Sequence, residues 1–143
     1  MDEKDLVGTW TLRAWHTRVG ERAVAAPVGE NPSGQLIYTA QGTMSAVIVR
    51  RDRSVFAGPH FSSASEAEQA QAARGCIAYA GTWQLQANRV IHLVRYSLFP
   101  NWIGEDLVRE AELDGTTLTL SAGDQHTRSG DPVTHQIVWH RLD

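Results

Sequence analysis

Runs in which apolar and polar residues alternate, the period of a strand with one buried face, recur eight times along this chain between turn-forming residues. They fall near 8–19, 34–40, 43–50, 78–87, 89–97, 106–113, 116–122 and 133–142. Eight strands suffice to close an antiparallel barrel around one small ligand. Ala40-Gln41-Gly42, Ala87-Asn88 and Asp114-Gly115 each set a residue tolerant of positive φ between two apolar runs, so the strands should follow one another as hairpins, in up-and-down order. The tripeptide Gly-Thr-Trp occurs twice, at 8–10 and 81–83, which either an internal duplication or the chance recurrence of a short string accounts for. At the other end of the chain, Trp139 and Arg141 share a face. If the barrel's ends meet, Arg141 can stack on the Trp10 indole.

With 143 residues the chain has the length of one domain, taken here as 1–143, and a core of useful size. A net charge of -3 with 20% charged residues argues against a nucleic-acid footprint or a polybasic membrane surface. Lone Cys76 cannot form an internal disulfide, and Met1-Asp2-Glu3-Lys4-Asp5 lacks the basic and apolar regions of a secretory signal, so the expected compartment is the cytoplasm. No apolar run approaches the ~18 residues that span a bilayer. The expected partner is a small hydrophobic molecule, with no nucleic acid and no membrane; the oligomeric state is left open, a homodimer included.

The one interruption of the strand rhythm is 62–75, which reads as a short helix over 65–74. Ser65 and Glu68 fit a capping box, Arg74 suits the C-terminal end, and Gly75 can supply a left-handed cap. Lying between the third and fourth barrel strands, such a helix would cross a barrel opening, as a lid or as a plain crossover.

If Trp10 points inward, period two turns Leu12, Ala14, His16 and Arg18 inward with it. Leu36, Tyr38 and Ala40 share a face on the second strand, as do Met44, Ala46 and Ile48 on the third. The run 90–96 is apolar on both faces of its strand; His92 is expected inside, together with Val90, Val94 and Tyr96. A histidine there can serve as general acid or base, or be a core residue satisfied by a carbonyl or hydroxyl. Arg109 has the parity of Leu107, Ala111 and Leu113, and a guanidinium on an apolar face needs an anion, several acceptors, or an ion pair with Asp106 or Glu105. Between these strands Pro100 and Gly104 bracket a loop that holds Phe99, Asn101 and Trp102. Its aromatics can clamp an apolar ligand, with Asn101 bonding a carbonyl or hydroxyl, or staple the loop to the rim.

His16, His92, His135 and His140 all fall on expected strands, but no metal-binding spacing accompanies them, and no metal is expected. A nucleophile elbow, a phosphate-binding glycine loop and a dinucleotide fingerprint are all missing, so no cofactor is expected.

Gly8-Thr9-Trp10, Asn31 to Thr39, Gly42-Thr43-Met44-Ser45-Ala46, Gly75 to Thr82, Val90-Ile91-His92 and Ser97 to Trp102 together resemble the microbial lipocalin-like domain family. The resemblance covers nearly the whole chain. It implies an all-β, eight-stranded antiparallel up-and-down lipocalin-like barrel with one short helix. It also implies small proteins of bacteria and fungi often linked to secondary metabolism, among whose related barrels are small-molecule binders, cyclases and isomerases. Carried over residue by residue, it singles out Tyr38, Met44, Tyr79, His92, Asn101, Trp102 and Arg109.

The resulting expectation is a barrel that encloses a hydrophobic metabolite and carries out a cofactor-free isomerisation, cyclisation or dehydration. His92 would move a proton, Arg109 and Tyr38 would stabilise developing negative charge, and His16, Met44, Tyr79, Tyr96, Phe99, Asn101 and Trp102 would bind the ligand. Two alternatives stand beside it. One is a non-catalytic binding or carrier protein. The other is a barrel filled by its own bulky residues, Trp10, Trp83, Tyr79 and Trp139.

Overall fold

Nine strands make one antiparallel sheet in the computed structural model, which describes residues 1–142 except the side chain of residue 124. Residue 143, the last of the expected domain, lies outside the described residues. In chain order the strands are β1 (Gly8–Val19), β2 (Arg22–Val24), β3 (Ser33–Tyr38), β4 (Thr43–Val49), β5 (Cys76–Gln86), β6 (Arg89–Ser97), β7 (Asp106–Asp114), β8 (Thr117–His126) and β9 (Pro132–Arg141). Each of β3 to β8 pairs with its successor, and β9 returns to β1 from Trp10↔Arg141 to Val19↔Val133, which closes the barrel. Eight strands therefore form the wall. The other edge of β1 pairs with β3 over Gly8–Thr11 and with the three-residue spur β2 over Thr17–Val19.

Helices lie outside this wall. α1 (Glu3–Leu6) precedes β1, α2 (Glu66–Arg74) joins β4 to β5, and single 3-10 turns occupy Phe61–Ser63 and Pro100–Trp102. α2 carries the expected capping box: the Ser65 hydroxyl accepts from the Glu68 N–H at 3.1 Å and the Glu68 carboxylate accepts from the Ser65 N–H at 3.0 Å. The left-handed cap expected at Gly75 does not form; its φ is -93° and its N–H continues the helical ladder onto the Gln71 carbonyl.

Register shifts interrupt the ladders in three places, one of them between Ala122 and Gln125 of β8, and the other two rewrite the expected inward faces. Arg13 is an extra residue in β1 between the Leu12↔Trp139 and Ala14↔Val138 pairs. Beyond it the inner face passes to Trp15 and Thr17, and the expected inward Ala14, His16 and Arg18 turn away, His16 and Arg18 becoming exposed. Arg95 is likewise extra between Gly81↔Val94 and Ala80↔Tyr96. Val90, His92 and Val94 point inward as parity requires, whereas Tyr96, expected among them, is 71% exposed. The strands approach so closely here that a Cβ on Gly81 would collide with the Leu93 carbonyl oxygen.

One end of the barrel is sealed. α1 folds beneath it with Leu6 fully buried, and the buried Trp10 indole donates to the Leu6 carbonyl at 2.9 Å. The Arg141 guanidinium sits 4.3 Å from the Trp10 ring centroid and donates to the carbonyls of Val7, at 2.9 Å, and Asp5. Gly8, at φ +139°, makes room for it, since a Cβ there would lie 2.7 Å from Arg141 Nη1. Above this plug Tyr38, Met44, Trp83, Val90 and Leu118 fill the sealed half. Among the described residues no helix is long and apolar enough to cross a membrane.

Two stability changes follow. Replacing Arg141→Met removes two charge-assisted hydrogen bonds and the cation–π contact, and urea unfolding should show a loss of about 2 to 3 kcal/mol. Ala87 holds φ +55° in the β5–β6 turn. Ala87→Gly relieves that strain, and the same measurement should show a gain of about 0.5 to 1 kcal/mol.

Candidate functional site: a one-ended cavity

β6 carries His92 into the middle of the barrel, where it is 1% exposed and flanked by two tyrosines. The Tyr38 hydroxyl lies 2.6 Å from Nε2 and the Tyr79 hydroxyl 2.7 Å from Nδ1. Burial, and secondarily the positive charge of Arg109, pushes the His92 pKa down to about 3. The same burial pushes Tyr79 up to about 12 and Tyr38 well above the usual phenol range, with Arg109 opposing both. At neutral pH all three groups are therefore uncharged.

Neutrality dictates the direction of the hydrogen bonds. A neutral imidazole donates from one nitrogen and accepts at the other, so one tyrosine accepts from His92 and keeps its own proton for a further partner. Tyr38 is 1% exposed, and among the described residues its hydroxyl has no second partner. A proton left over there would be an orphaned donor in the core. Tyr38 accordingly donates to Nε2, Nδ1–H donates to the Tyr79 oxygen, and the Tyr79 proton is free for the cavity.

That cavity opens at the end of the barrel opposite α1. Its wide part has a volume of about 650 Å³, with Trp15, Ile77, Trp102, Ile137 and Arg109 in its wall and Ala73, Arg74 and Phe99 at its mouth. The same five wall residues reach down to a narrow deep end of about 40 Å³, where Tyr79, His92 and Trp139 join the apolar Leu36, Ala46, Ile48 and Leu120. The 650 Å³ falls in the range of small-molecule sites. Aromatic contacts step outward from the sealed end: Tyr38 on Trp83 at 4.8 Å, Tyr79 edge-on to Trp102 at 5.7 Å, and Trp102 edge-on to Phe99 at 5.5 Å.

The expected site residues separate into three groups. His92, Tyr79, Trp102, Arg109 and Phe99 line the cavity, Phe99 being half exposed at its mouth. Tyr38 and Met44 are buried in the sealed half and reach the cavity, in the case of Tyr38, only through His92. His16, Tyr96 and Asn101 are exposed and lie outside the lining, the first two because of the bulges and Asn101 because the 3-10 turn directs it to solvent. Among the described residues Arg109 has no carboxylate within ion-pair distance, and its guanidinium donates to the Val108 carbonyl at 3.1 Å.

Period two missed Trp15 and His135, which form a second polar group in the wall. The Trp15 indole N–H donates to His135 Nδ1 at 3.1 Å, and Thr17 Oγ1 lies 3.0 Å from the same nitrogen. An indole can only donate, so the neutral His135 ring carries its proton on Nε2. Partial burial and then Arg109 lower its pKa. The signal available in the sequence was the out-of-phase Trp in Leu12-Arg13-Ala14-Trp15. Among the described residues no three His, Cys, Asp or Glu side chains gather as metal ligands would.

A closed up-and-down barrel, plugged at one end by a tryptophan–arginine stack and open at the other onto an apolar cavity, is a lipocalin-type architecture. The model of the lipocalin-like domain matches residues 7–142, and the chain belongs to that family. Over 107 residues it is 32% identical to the 4'-hydroxy-3'-methoxypropiophenone carrier protein ppsC of Aspergillus oryzae, covering 69% of this chain and 96% of that protein. Among solved structures, a point mutant of the fluorescent protein UnaG aligns over 97% of both chains at 14% identity and a TM-score of 0.43, too distant a likeness to bear on function.

Because the folded state resists protonating His92 while the unfolded chain does not, stability is complete above the unfolded pKa of 6.5 and is lost as pH falls toward about 3. This proton alone should remove about 1.4 kcal/mol per pH unit in that window. Denaturant titrations at pH 4, 5 and 6 should show the slope reduced by about one proton in His92→Gln. An unchanged slope would mean that His92 is protonated in the fold.

Proposed function

We propose that this protein binds a small hydrophobic molecule bearing an aromatic ring and carries it without chemical change. The observation that carries this reading is the one-ended cavity, whose wide part is walled by Trp15, Trp102, Ile77 and Ile137 and whose mostly apolar deep end holds the uncharged Tyr79 and His92 with Arg109. Trp15 and Trp102 offer aromatic surface to a ring, and burying apolar surface supplies the affinity. The relative named as a carrier of 4'-hydroxy-3'-methoxypropiophenone, an aryl ketone, points to the same class of cargo.

The geometry favours carriage over the proton transfer expected of His92. A general base needs an open lone pair and a pKa near working pH. Both ring nitrogens of His92 face tyrosine hydroxyls, and a pKa of about 3 sets protonation at pH 7 at a cost of roughly 5 kcal/mol. Neither tyrosine is poised to ionise in its place. The triad is built to hold one hydrogen-bond pattern still, as a recognition element requires.

Titration calorimetry with 4'-hydroxy-3'-methoxypropiophenone, followed by chromatography of the recovered compound, tests this. One molecule should bind per barrel and be recovered intact, and Trp102→Ala should weaken binding by about tenfold through the lost stacking surface. Conversion of the compound by the wild type but not by His92→Gln would establish the catalytic alternative. Failure to bind this or any other aryl ketone would remove the carrier reading.

A further inference from the structure

Trp139 lines the deep end of the cavity and is 2% exposed, yet its Nε1–H has no hydrogen-bond partner among the described residues. A buried indole N–H without an acceptor is uncommon, since such groups nearly always find a partner in protein or water. The remaining polar groups of the deep end offer none. The Tyr79 oxygen already accepts from His92 and turns its proton outward, both His92 nitrogens are engaged, and the Arg109 guanidinium only donates. Elsewhere the deep end is walled by Leu36, Ala46, Ile48, Leu120 and other apolar side chains.

We infer that the deep end is a carbonyl-recognition site, in which Trp139 Nε1–H and Tyr79 O–H donate to the oxygen of a ligand that enters carbonyl-first. Resting on the carrier reading above, the inference adds the ligand's chemical class and its orientation. A ketone or aldehyde oxygen offers two lone pairs to two neutral donors and brings no proton that would need an acceptor. A phenol or alcohol brings a proton of its own, for which the deep end offers little beyond the second lone pair of the Tyr79 oxygen. The volumes agree in direction: the deep end, about 40 Å³ against about 650 Å³ for the wide part, suits the small polar end of a ligand, and the wide part suits its ring. Arg109, shared by both parts, adds a positive charge to the lining, which favours a ligand oxygen of partial negative charge.

Two matched probes decide it, propiophenone, which has the ketone and no phenol, and 4-propylphenol, which has the phenol and no ketone. Each is titrated into wild type, Trp139→Phe and Tyr79→Phe by calorimetry, and the wild-type indole N–H protons are followed by ¹⁵N–¹H NMR. Propiophenone should bind the wild type at least roughly tenfold more tightly than 4-propylphenol, and each substitution should erase most of that preference while leaving 4-propylphenol within about threefold. The Trp139 indole proton, assigned by its loss in Trp139→Phe, should move downfield with propiophenone alone.

Equal binding of the two probes with a stationary Trp139 proton would overturn the carbonyl site and leave the carrier reading standing. Tighter binding of 4-propylphenol would overturn it too and assign the deep end to an ionised phenol. No binding of either would overturn both. Should Trp139→Phe unfold, the Tyr79→Phe preference and the wild-type proton shift still decide the question.

Discussion

The backbone ladder between β1 and β9 closes this barrel, and one side-chain contact pins its sealed end. Arg141 of β9 lies on the ring of Trp10 of β1 and holds two carbonyls of the segment that leads into β1. The stack therefore ties α1, β1 and β9 together at the place where the sheet must meet itself. Its geometric consequence is polarity along the barrel axis. The plugged end is filled by Trp10, Tyr38, Met44, Trp83 and Leu118, so any space inside must open at the other end. The filled barrel and the hollow barrel are thus two halves of one molecule: of the bulky residues that made a filled interior plausible, Trp10 and Trp83 occupy the sealed half, whereas Tyr79 and Trp139 line the deep end of the cavity.

The barrel was readable from the sequence because closure demands the same alternation on every strand, and eight repeats of a weak signal add up. The site was less readable, for a local reason. Alternation propagates along a strand only until a bulge, and of the three register shifts in the barrel two fall where the site residues were expected. Arg13 reverses the phase of β1, removing His16 from the interior and admitting Trp15; Arg95 does the same to Tyr96. A one-residue insertion leaves little trace in composition, although a tryptophan on the supposedly outer face of β1 was one. His92 precedes its bulge, and Arg109 sits on a strand that pairs without irregularity over β6, so both point where parity puts them. Trp139 was placed inside by the same rule, but that its N–H would lack a partner depends on every neighbour at once.

The triad of Tyr38, His92 and Tyr79 illustrates how a buried polar group can specify something other than chemistry. Three polar side chains in a hydrophobic interior are costly unless each donor meets an acceptor, and here the count leaves one proton over. Because Tyr38 is enclosed by core residues, that surplus proton can be satisfied only at Tyr79. The sealed half of the barrel thereby sets the hydrogen-bonding character of the open half: it requires the cavity floor to donate. Trp139, supported on the opposite wall by β1 and β8, adds a second donor to the same small space.

Donors set in an otherwise apolar floor have a cost in the empty protein, because their N–H and O–H groups lose the acceptors that bulk water would supply. An apolar floor would give a more stable barrel, but one that accepted any hydrophobic molecule of suitable size, since burial of apolar area is non-directional. Donors penalise each ligand that leaves them unpaired, and discrimination grows with that penalty instead of with buried area. Selectivity is then set by polar groups at the deep end and affinity by the aromatic walls above it. In the carrier proposed above, that division separates choice from release, because the walls can be weakened or strengthened without altering what the floor selects.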